Sequence, residues 1–498
     1  MLLQLLYKHA DADPDRTAVV YRDERLSFGA LIERIERLAS GLADLGIEAG
    51  DAVGLVLRDD PWYLASFHAV AALGAKVVPA NPAFKQPELE FWFRTTGVKA
   101  VISDERTAGV CERIVARFDH PVTVIGSGAG HGSAVTLAGL VERGTHGRLA
   151  PREPDEPLVG QFSSGSTGRP KRLDRTHGQC LAEAESYLAL GLDAEDKILA
   201  AVPLFHTWGM GACIFGAAIS GATLVILEDP HPFLLKRHRA LELIETERIS
   251  FFPGVPFNYR LMAESPSDAD LSSLRLCFTA GMAMPRETFE AFGERFGVLV
   301  RQLYGSTETG MIAANLSEDP VGTFESVGSP VKGVELGIVD DDGAPLPAGE
   351  IGEVTVAGPA LTDGYAELPE LTAVAFRDGR YFTGDLGRIG EDGMLYIEGR
   401  KKLLIETGGF KVDPIEVEAV LVDHPRIDQA VVVGVDTDVP GEQRVKAVVV
   451  PVAGEPEARE IVLYCRERLA NFKVPQEVEF RDEIPKSPLG KVLRKYLV

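Results

Sequence analysis

What the sequence lacks narrows the reading first. Its five cysteines (Cys111, Cys180, Cys213, Cys277 and Cys465) lie far apart, with no Cys-x-x-Cys and no histidine at a companion spacing. That argues against a zinc site or a disulfide framework and points to a reducing compartment. No apolar stretch is long enough to cross a bilayer, and the run in Met1-Leu-Leu-Gln-Leu-Leu-Tyr-Lys8 is too short for a secretory signal. The expectation is a soluble, cytoplasmic protein without a membrane span. Positive charge is scarce as well: 51 Lys and Arg against 74 Asp and Glu give a formal net charge of −23. No basic field balances it, which argues against a nucleic-acid partner. A polyphosphate ligand stays compatible, provided that basic groups are concentrated locally. Internal repeats and low-complexity tracts are absent.

What is there is an ordinary globular composition, 45% hydrophobic and 25% charged, in a chain of 498 residues that is too long for one core. Two or more domains are expected. Thr17–Tyr21 reads as a strand, and Ser27 can cap a helix in which Leu31, Ile32, Ile35 and Leu38 recur at helical spacing. Strands at Asp51–Leu57 and Lys76–Pro79 bracket an apolar helix from Trp62 to Leu73. Such alternation predicts a largely parallel sheet covered on both faces. Further strand–helix pairs run on to Leu299–Leu303. Three strands end in loops rich in functional groups: Pro203-Leu-Phe-His206, Ala280-Gly-Met-Ala283 and Tyr304-Gly-Ser-Thr-Glu-Thr-Gly310. Ligands collect at the carboxyl ends of strands in open α/β sheets, so these loops are expected to converge on one crevice. Gly126–Gly132 also follows a strand, but no phase of it gives Gly-x-Gly-x-x-Gly, and it reads as a surface loop. From about Val321, tight turns at Asp340–Gly343, Arg377–Gly379 and Glu391–Gly393 predict a small barrel or a distorted antiparallel sheet. Beyond Gly399-Arg-Lys-Lys402 the texture becomes mixed α+β.

The chain is organised around Gln161-Phe-Ser-Ser-Gly-Ser-Thr-Gly-Arg-Pro-Lys171, with Arg175-Thr-His177 close behind. Gly165 and Gly168 let backbone N–H groups turn inward, as a concave anion nest requires. Ser163, Ser164, Ser166 and Thr167 add hydroxyl donors, and Lys171 adds a mobile positive charge. Gly-x-x-x-x-Gly-Lys-[Ser/Thr] cannot be threaded through these residues, so this is no Walker A loop. No serine sits in Gly-x-Ser-x-Gly, so it is no hydrolase elbow. By composition alone, a plain surface turn fits as well as a phosphate loop.

Ser-Ser-Gly-Ser-Thr-Gly-x-Pro-Lys followed by Thr-His resembles the ATP-phosphate loop of the adenylate-forming superfamily. That group holds the acyl-CoA synthetases, the adenylation domains of peptide synthetases and the beetle luciferases. Tyr304-Gly-Ser306-Thr-Glu308 looks like the second signature of the family, although alone it would pass for a strand-to-helix turn. The resemblance implies that Tyr304 stacks on adenine, Gly305 permits close backbone approach and Thr307 donates to the α-phosphate. Glu308 would hold the Mg²⁺ that accompanies ATP. Thr383-Gly-Asp385 is similar to the ribose clamp of the family, with Arg400 assisting; as isolated residues these would be a turn Asp and a surface Arg. Pro203-Leu-Phe-His206 resembles the motif bordering the acyl pocket, where a core histidine is the competing explanation. Ala280, Gly281 and Met282 match the loop that flanks adenine and the acyl chain. Pro485-Lys-Ser-Pro-Leu-Gly-Lys491 matches the carboxyl-terminal motif. There Lys491 would bridge the carboxylate and the phosphate oxygens and stabilise charge developing in the transition state. Without that context it is a solvated lysine. Lys402 falls at the hinge of the family. Gly408-Gly409 falls where thioester-forming relatives line a thiol tunnel, with a simple hairpin turn as the alternative.

The resemblance runs through essentially the whole chain, in the order of the family. It implies an α/β fold: a large N-terminal domain, residues 1–399, of two α/β subdomains plus a small β-barrel-like subdomain. A small mobile α+β C-terminal domain, residues 400–498, would follow, hinged at Lys402. The implied activity is a two-step ligase that uses ATP, Mg²⁺ and coenzyme A to convert a small-molecule carboxylic acid to acyl-AMP and then to a thioester. The aromatic, thioether and small groups of His206-Thr-Trp-Gly-Met-Gly211 and Ala280-Gly-Met-Ala-Met284 point to an apolar acid, aryl or aliphatic. An acyl carrier protein as thiol acceptor, a light-emitting oxidation and a non-catalytic binding role are the alternatives. The intact set Lys171, Glu308, Asp385 and Lys491 speaks against the last. Departures from the pattern are Arg172 after Pro-Lys, Lys401 before the hinge, Glu406, and the methionines Met282 and Met284. They leave the acid and the acceptor open.

Overall fold

The computed structural model describes residues 2–128, 134–163, 170–228, 233–400, 404–452, 456–485, 492 and 494–498, without the side chains of Arg400 and Lys495. The chain forms two units. The first comprises Met1–Pro82, Trp92–Gln161 and Arg172–Gly399, and the second Ala83–Phe91, Phe162–Lys171 and Arg400–Val498.

In the first unit, local chemistry sets the helix starts. Ser27 caps the helix Phe28–Asp44 by accepting from Ala30 N at 3.2 Å, and Leu31, Ile32, Ile35 and Leu38 face the core. Asp60 caps Pro61–Ala72 in the same way, with proline in the first turn where its missing N–H costs nothing. Pro61–Ala72 is apolar nearly all round and is accordingly buried nearly all round. Thr176 and Gln179 form a reciprocal capping box that opens His177–Ala189.

Two sheets organise this unit. A six-stranded sheet runs in the order Thr123–Gly126, Val98–Ser103, Ala52–Val56, Lys76–Pro79, Pro157–Ser163, Lys171–Thr176. The second is a 14-stranded sheet with two halves. One half is parallel and contains Thr17–Tyr21, Thr223–Ile226, Lys197–Ala200, Phe251–Gly254, Leu276–Thr279 and Arg301–Ser306 as neighbours. The other half is antiparallel and begins at Gly310–Ala314, earlier than the composition shift near Val321 suggests. Only Thr307, Glu308 and Thr309 separate Arg301–Ser306 from Gly310–Ala314, too few residues for a crossover helix. The β-rich segment thus continues the parallel half edge to edge, through Ser326–Pro330, Leu395–Arg400, Arg380–Ile389, Gly352–Ala357 and Glu335–Val339.

The second unit is built on a three-stranded sheet, Ile427–Asp436, Gln443–Pro451 and Glu477–Phe480. The helices Pro414–Val422 and Ala458–Arg466 supply Val417, Leu421, Ile461 and Cys465 to a core shared with Val432, Val445, Ala447 and Val449. Gly408 and Gly409, at φ +56° and +82°, form the two-residue turn between Ile405–Thr407 and Phe410–Val412. Positive φ at both positions is what a tight hairpin matched to strand twist demands. Among the described residues, no helix is long and apolar enough to cross a membrane.

Candidate active site

The site is assembled on the hairpin Arg301–Ala314. Gly305 has no room for a side chain, because a Cβ there would lie 2.5 Å from the Gly310 carbonyl oxygen. Gly310 turns at φ +67°, and a Cβ on it would meet the carboxylate of Glu183 at 2.5 Å. Both glycines are therefore required by the tightness of the loop. The loop presents Thr307, half-buried, and Glu308, which is buried.

Each presented group has a partner from a distant segment. The Tyr304 hydroxyl donates to Asp385 Oδ2 at 2.5 Å, which ties the ring edge to that carboxylate. Asp385 does not lie in a turn. It sits inside the strand Arg380–Ile389, where the ladder with Gly352–Ala357 breaks register and Gly384 adopts φ +72°. The bulge aims the carboxylate. Thr383 Oγ1 braces it by donating to Val354 O at 2.9 Å and accepting from Asp385 N at 3.0 Å. Glu308 Oε1 accepts from the Tyr365 hydroxyl at 3.0 Å. Behind it, Tyr365, Phe376 and Tyr381 form an aromatic cluster, and burial pushes the Tyr381 hydroxyl well above its usual range, keeping it protonated.

The segment Pro203-Leu-Phe-His206 meets the same hairpin. His206 is exposed, not a core residue, and its Nδ1 accepts from Trp208 N at 3.2 Å. That bond puts the proton of the neutral ring on Nε2. The short helix Thr207–Gly209 runs into a π-helical turn, Met210–Phe215, of the kind that recurs at functional sites. Thr207 donates to Thr307 Oγ1 at 3.3 Å. The Gly254 carbonyl accepts both from Trp208 Nε1 at 3.0 Å and from Ala280 N at 3.3 Å. This brings the Ala280 loop alongside Trp208. Gly281 there takes φ +87° and is exposed, and Met282 is half-buried.

The remaining expected residues lie elsewhere or outside the description. Ser163 closes the strand Pro157–Ser163, and Lys171 opens its sheet neighbour Lys171–Thr176. Ser164, Gly165, Ser166, Thr167, Gly168, Lys402 and Lys491 lie outside the described residues, as does the side chain of Arg400. Among the described residues, no three His, Cys, Asp or Glu side chains gather as a metal cage. A Mg²⁺ held mostly by nucleotide phosphates and water needs only one or two carboxylates, and Glu308 fits that donor set.

Three participants were not legible as site residues: Tyr365, Gln161 and Glu183. Gln161 Nε2 donates to Thr207 Oγ1 at 3.0 Å. Glu183 pairs with the fully buried Arg175 at 2.6 Å and fills the space that Gly310 and Gly211 leave free.

Comparison with known proteins shows the family. Residues 6–366 match the model of the AMP-binding enzyme family, and residues 416–491 that of the AMP-binding enzyme C-terminal domain. The chain is 32% identical over 492 residues to a feruloyl-CoA synthase from Amycolatopsis sp, covering 98% of this chain and 96% of that one. Two solved structures superpose along nearly the whole length. An o-succinylbenzoate CoA synthetase from Bacillus subtilis, bound with a product analogue, gives a TM-score of 0.88 at 27% identity, covering 99% and 98% of the two chains. The amide bond synthetase McbA from Marinactinospora thermotolerans gives 0.87 at 28% identity, with the same coverage. On these matches the chain is an enzyme that belongs to the AMP-binding family of the adenylate-forming superfamily, among its acyl- and aryl-CoA ligases.

Proposed function

We propose that this protein activates a hydrophobic carboxylic acid with ATP and transfers the acyl group to coenzyme A. In the first step a carboxylate oxygen attacks the α-phosphorus, the bond to the β-phosphate bridging oxygen breaks, and pyrophosphate leaves. In the second, the thiol sulfur attacks the mixed anhydride carbonyl and AMP leaves. The anhydride is needed because a thiol cannot displace oxide from a carboxylate.

The observation that carries this reading is the convergence on one hairpin. Tyr304 is bonded to Asp385, Thr307 to the residue after His206, and Glu308 to Tyr365. Asp385 would accept from the ribose hydroxyls, with Arg400 assisting, and Tyr304 would lie against adenine beside Ala280, Gly281 and Met282. Thr307 would donate to the α-phosphate, together with Ser163, Ser164, Gly165, Ser166, Thr167, Gly168 and Lys171 of the phosphate loop. Glu308 would hold a Mg²⁺ ion, which supplies charge neutralisation at the phosphates when bound. His206 would border the acid. Lys491 would stabilise the transition state of the first step. Rotation about Lys402 would then withdraw it and bring Gly408-Gly409 to the thiol.

A pyrophosphate-release assay across aryl and aliphatic acids, with and without coenzyme A, tests this. The expected result is acid-dependent release and a CoA-dependent thioester. Release without thioester formation, or acyl transfer only to an amine, would refute coenzyme A as the acceptor. No release with any acid would refute the adenylating function.

A further inference from the structure

The Thr307 hydroxyl is the end of a chain of donors. Gln161 Nε2 donates to Thr207 Oγ1 at 3.0 Å, and the Thr207 hydroxyl donates onward to Thr307 Oγ1 at 3.3 Å. The three residues come from a strand of the six-stranded sheet, the turn after His206 and the hairpin loop. Gln161 is 3% exposed, and its Oε1 has no hydrogen-bond partner among the described residues.

Direction is the informative feature. A threonine hydroxyl has one proton to give. The Thr207 oxygen already receives the Gln161 N–H, so its proton goes to Thr307. The Thr307 oxygen is then a filled acceptor on that side, and its own proton is left to donate away from the chain. Each donor also polarises the next, strengthening the terminal one. A side-chain amide provides this polarity at the buried end because Nε2 only donates.

We propose that Gln161 and Thr207 are positioning residues that hold Thr307 as an outward donor to the α-phosphate and tie its alignment to the acid-side turn. This rests on the adenylating function proposed above. Neither residue touches the reacting atoms; both act through Thr307.

The test is acid-dependent ATP–pyrophosphate exchange by the full-length protein, with thioester formation from supplied acyl-adenylate measured alongside. Thr207→Val keeps the shape and removes the proton, whereas Thr207→Ser keeps the proton. Gln161→Glu keeps the size and a hydrogen bond to Thr207, but a carboxylate only accepts. Thr207 would then donate backward and accept from Thr307, consuming the proton meant for phosphate. Thr207→Val and Gln161→Glu are each expected to lower kcat for exchange about tenfold or more, as loss of an oriented transition-state donor does. KM for ATP and the thioester step should change little, and Thr207→Ser should retain most of the activity.

A bond that merely braces the loop is served equally well by Gln161→Glu, so wild-type exchange in that variant would overturn the proposal. Failure of Thr207→Ser to rescue, or proportional loss in both half-reactions, would overturn it as well. Melting curves identify a variant that does not fold, in which case the other substitution decides. Absence of acid-dependent exchange in the wild type is a separate outcome, and it would remove the adenylating function and the relay together.

Discussion

Arg175 and Glu183 are the ion pair most deeply placed around the hairpin, and removing either charge should be far more damaging than removing both. Their side chains are 1% and 2% exposed and meet at 2.6 Å. At an effective dielectric of about 20, the attraction at that separation is about 6 kcal/mol. Desolvation of the two ions opposes it by several kcal/mol each, and Arg175 Nε and Nη2 gain no acceptor among the described residues. The net worth of the pair is therefore small. Each partner alone is another matter: Arg175→Met or Glu183→Met strands a buried charge and should cost about 3–5 kcal/mol. Independent losses would sum to about 6–10 kcal/mol in the double variant. Because methionine fills a similar unbranched volume, the double variant should instead lie within about 2 kcal/mol of wild type. All three tryptophans, Trp62, Trp92 and Trp208, belong to the first unit, so intrinsic fluorescence in a urea titration reports its unfolding. A double variant as unstable as the sum of the singles would refute the reasoning. So would a single substitution without effect.

Other predictions follow from the same geometry. Asp385→Asn should lower kcat/KM for ATP by about 10- to 100-fold, the worth of one or two charge-assisted bonds to ribose, while Tyr304 keeps an acceptor; initial rates at varied ATP check this. Lys491→Ala should cut acyl-adenylate formation by about a hundredfold or more and spare thioester formation from supplied acyl-adenylate, and equal loss in both steps would refute its role. Burial pulls the His68 and His177 imidazoles down to about 3 and about 4 from an ordinary 6.5, so both stay neutral in the fold while the unfolded chain binds their protons. Stability is then full above pH 6.5 and is lost as pH falls from 6.5 toward the folded values, by about 3 kcal/mol for His68 on reaching pH 4, with no further loss from these groups below the folded values. His68→Leu should flatten that slope by about one proton in acid titrations followed by circular dichroism.

The local elements were legible because they depend on near neighbours. Ser27 announces its helix through a bond to the residue three positions on, Asp60 and Thr176 prove to cap theirs the same way, and Gly408-Gly409 form the hairpin turn that stood as the alternative to a thiol-tunnel lining. The segment Tyr304–Gly310 was less transparent. Its glycines marked a turn, but whether it led to a helix or folded straight back depended on what lay across the sheet. Asp385 likewise had the residue pattern of a turn and proved to lie on a strand bulge.

By itself, the sequence determined the motifs, their order, the alternation of strands and helices and the changes of texture near Val321 and Gly399. Those properties follow from residue chemistry and spacing within a few positions. Only the tertiary structure decided who meets whom. Tyr365 reaches Glu308 across 57 residues, Asp385 reaches Tyr304 across 81, and Thr207 reaches Thr307 across 100. Such pairings are fixed by strand order in a 14-stranded sheet and by burial of apolar faces. Neither leaves a local periodicity, which is why Gln161 and Glu183 could be placed only once the sheets had formed.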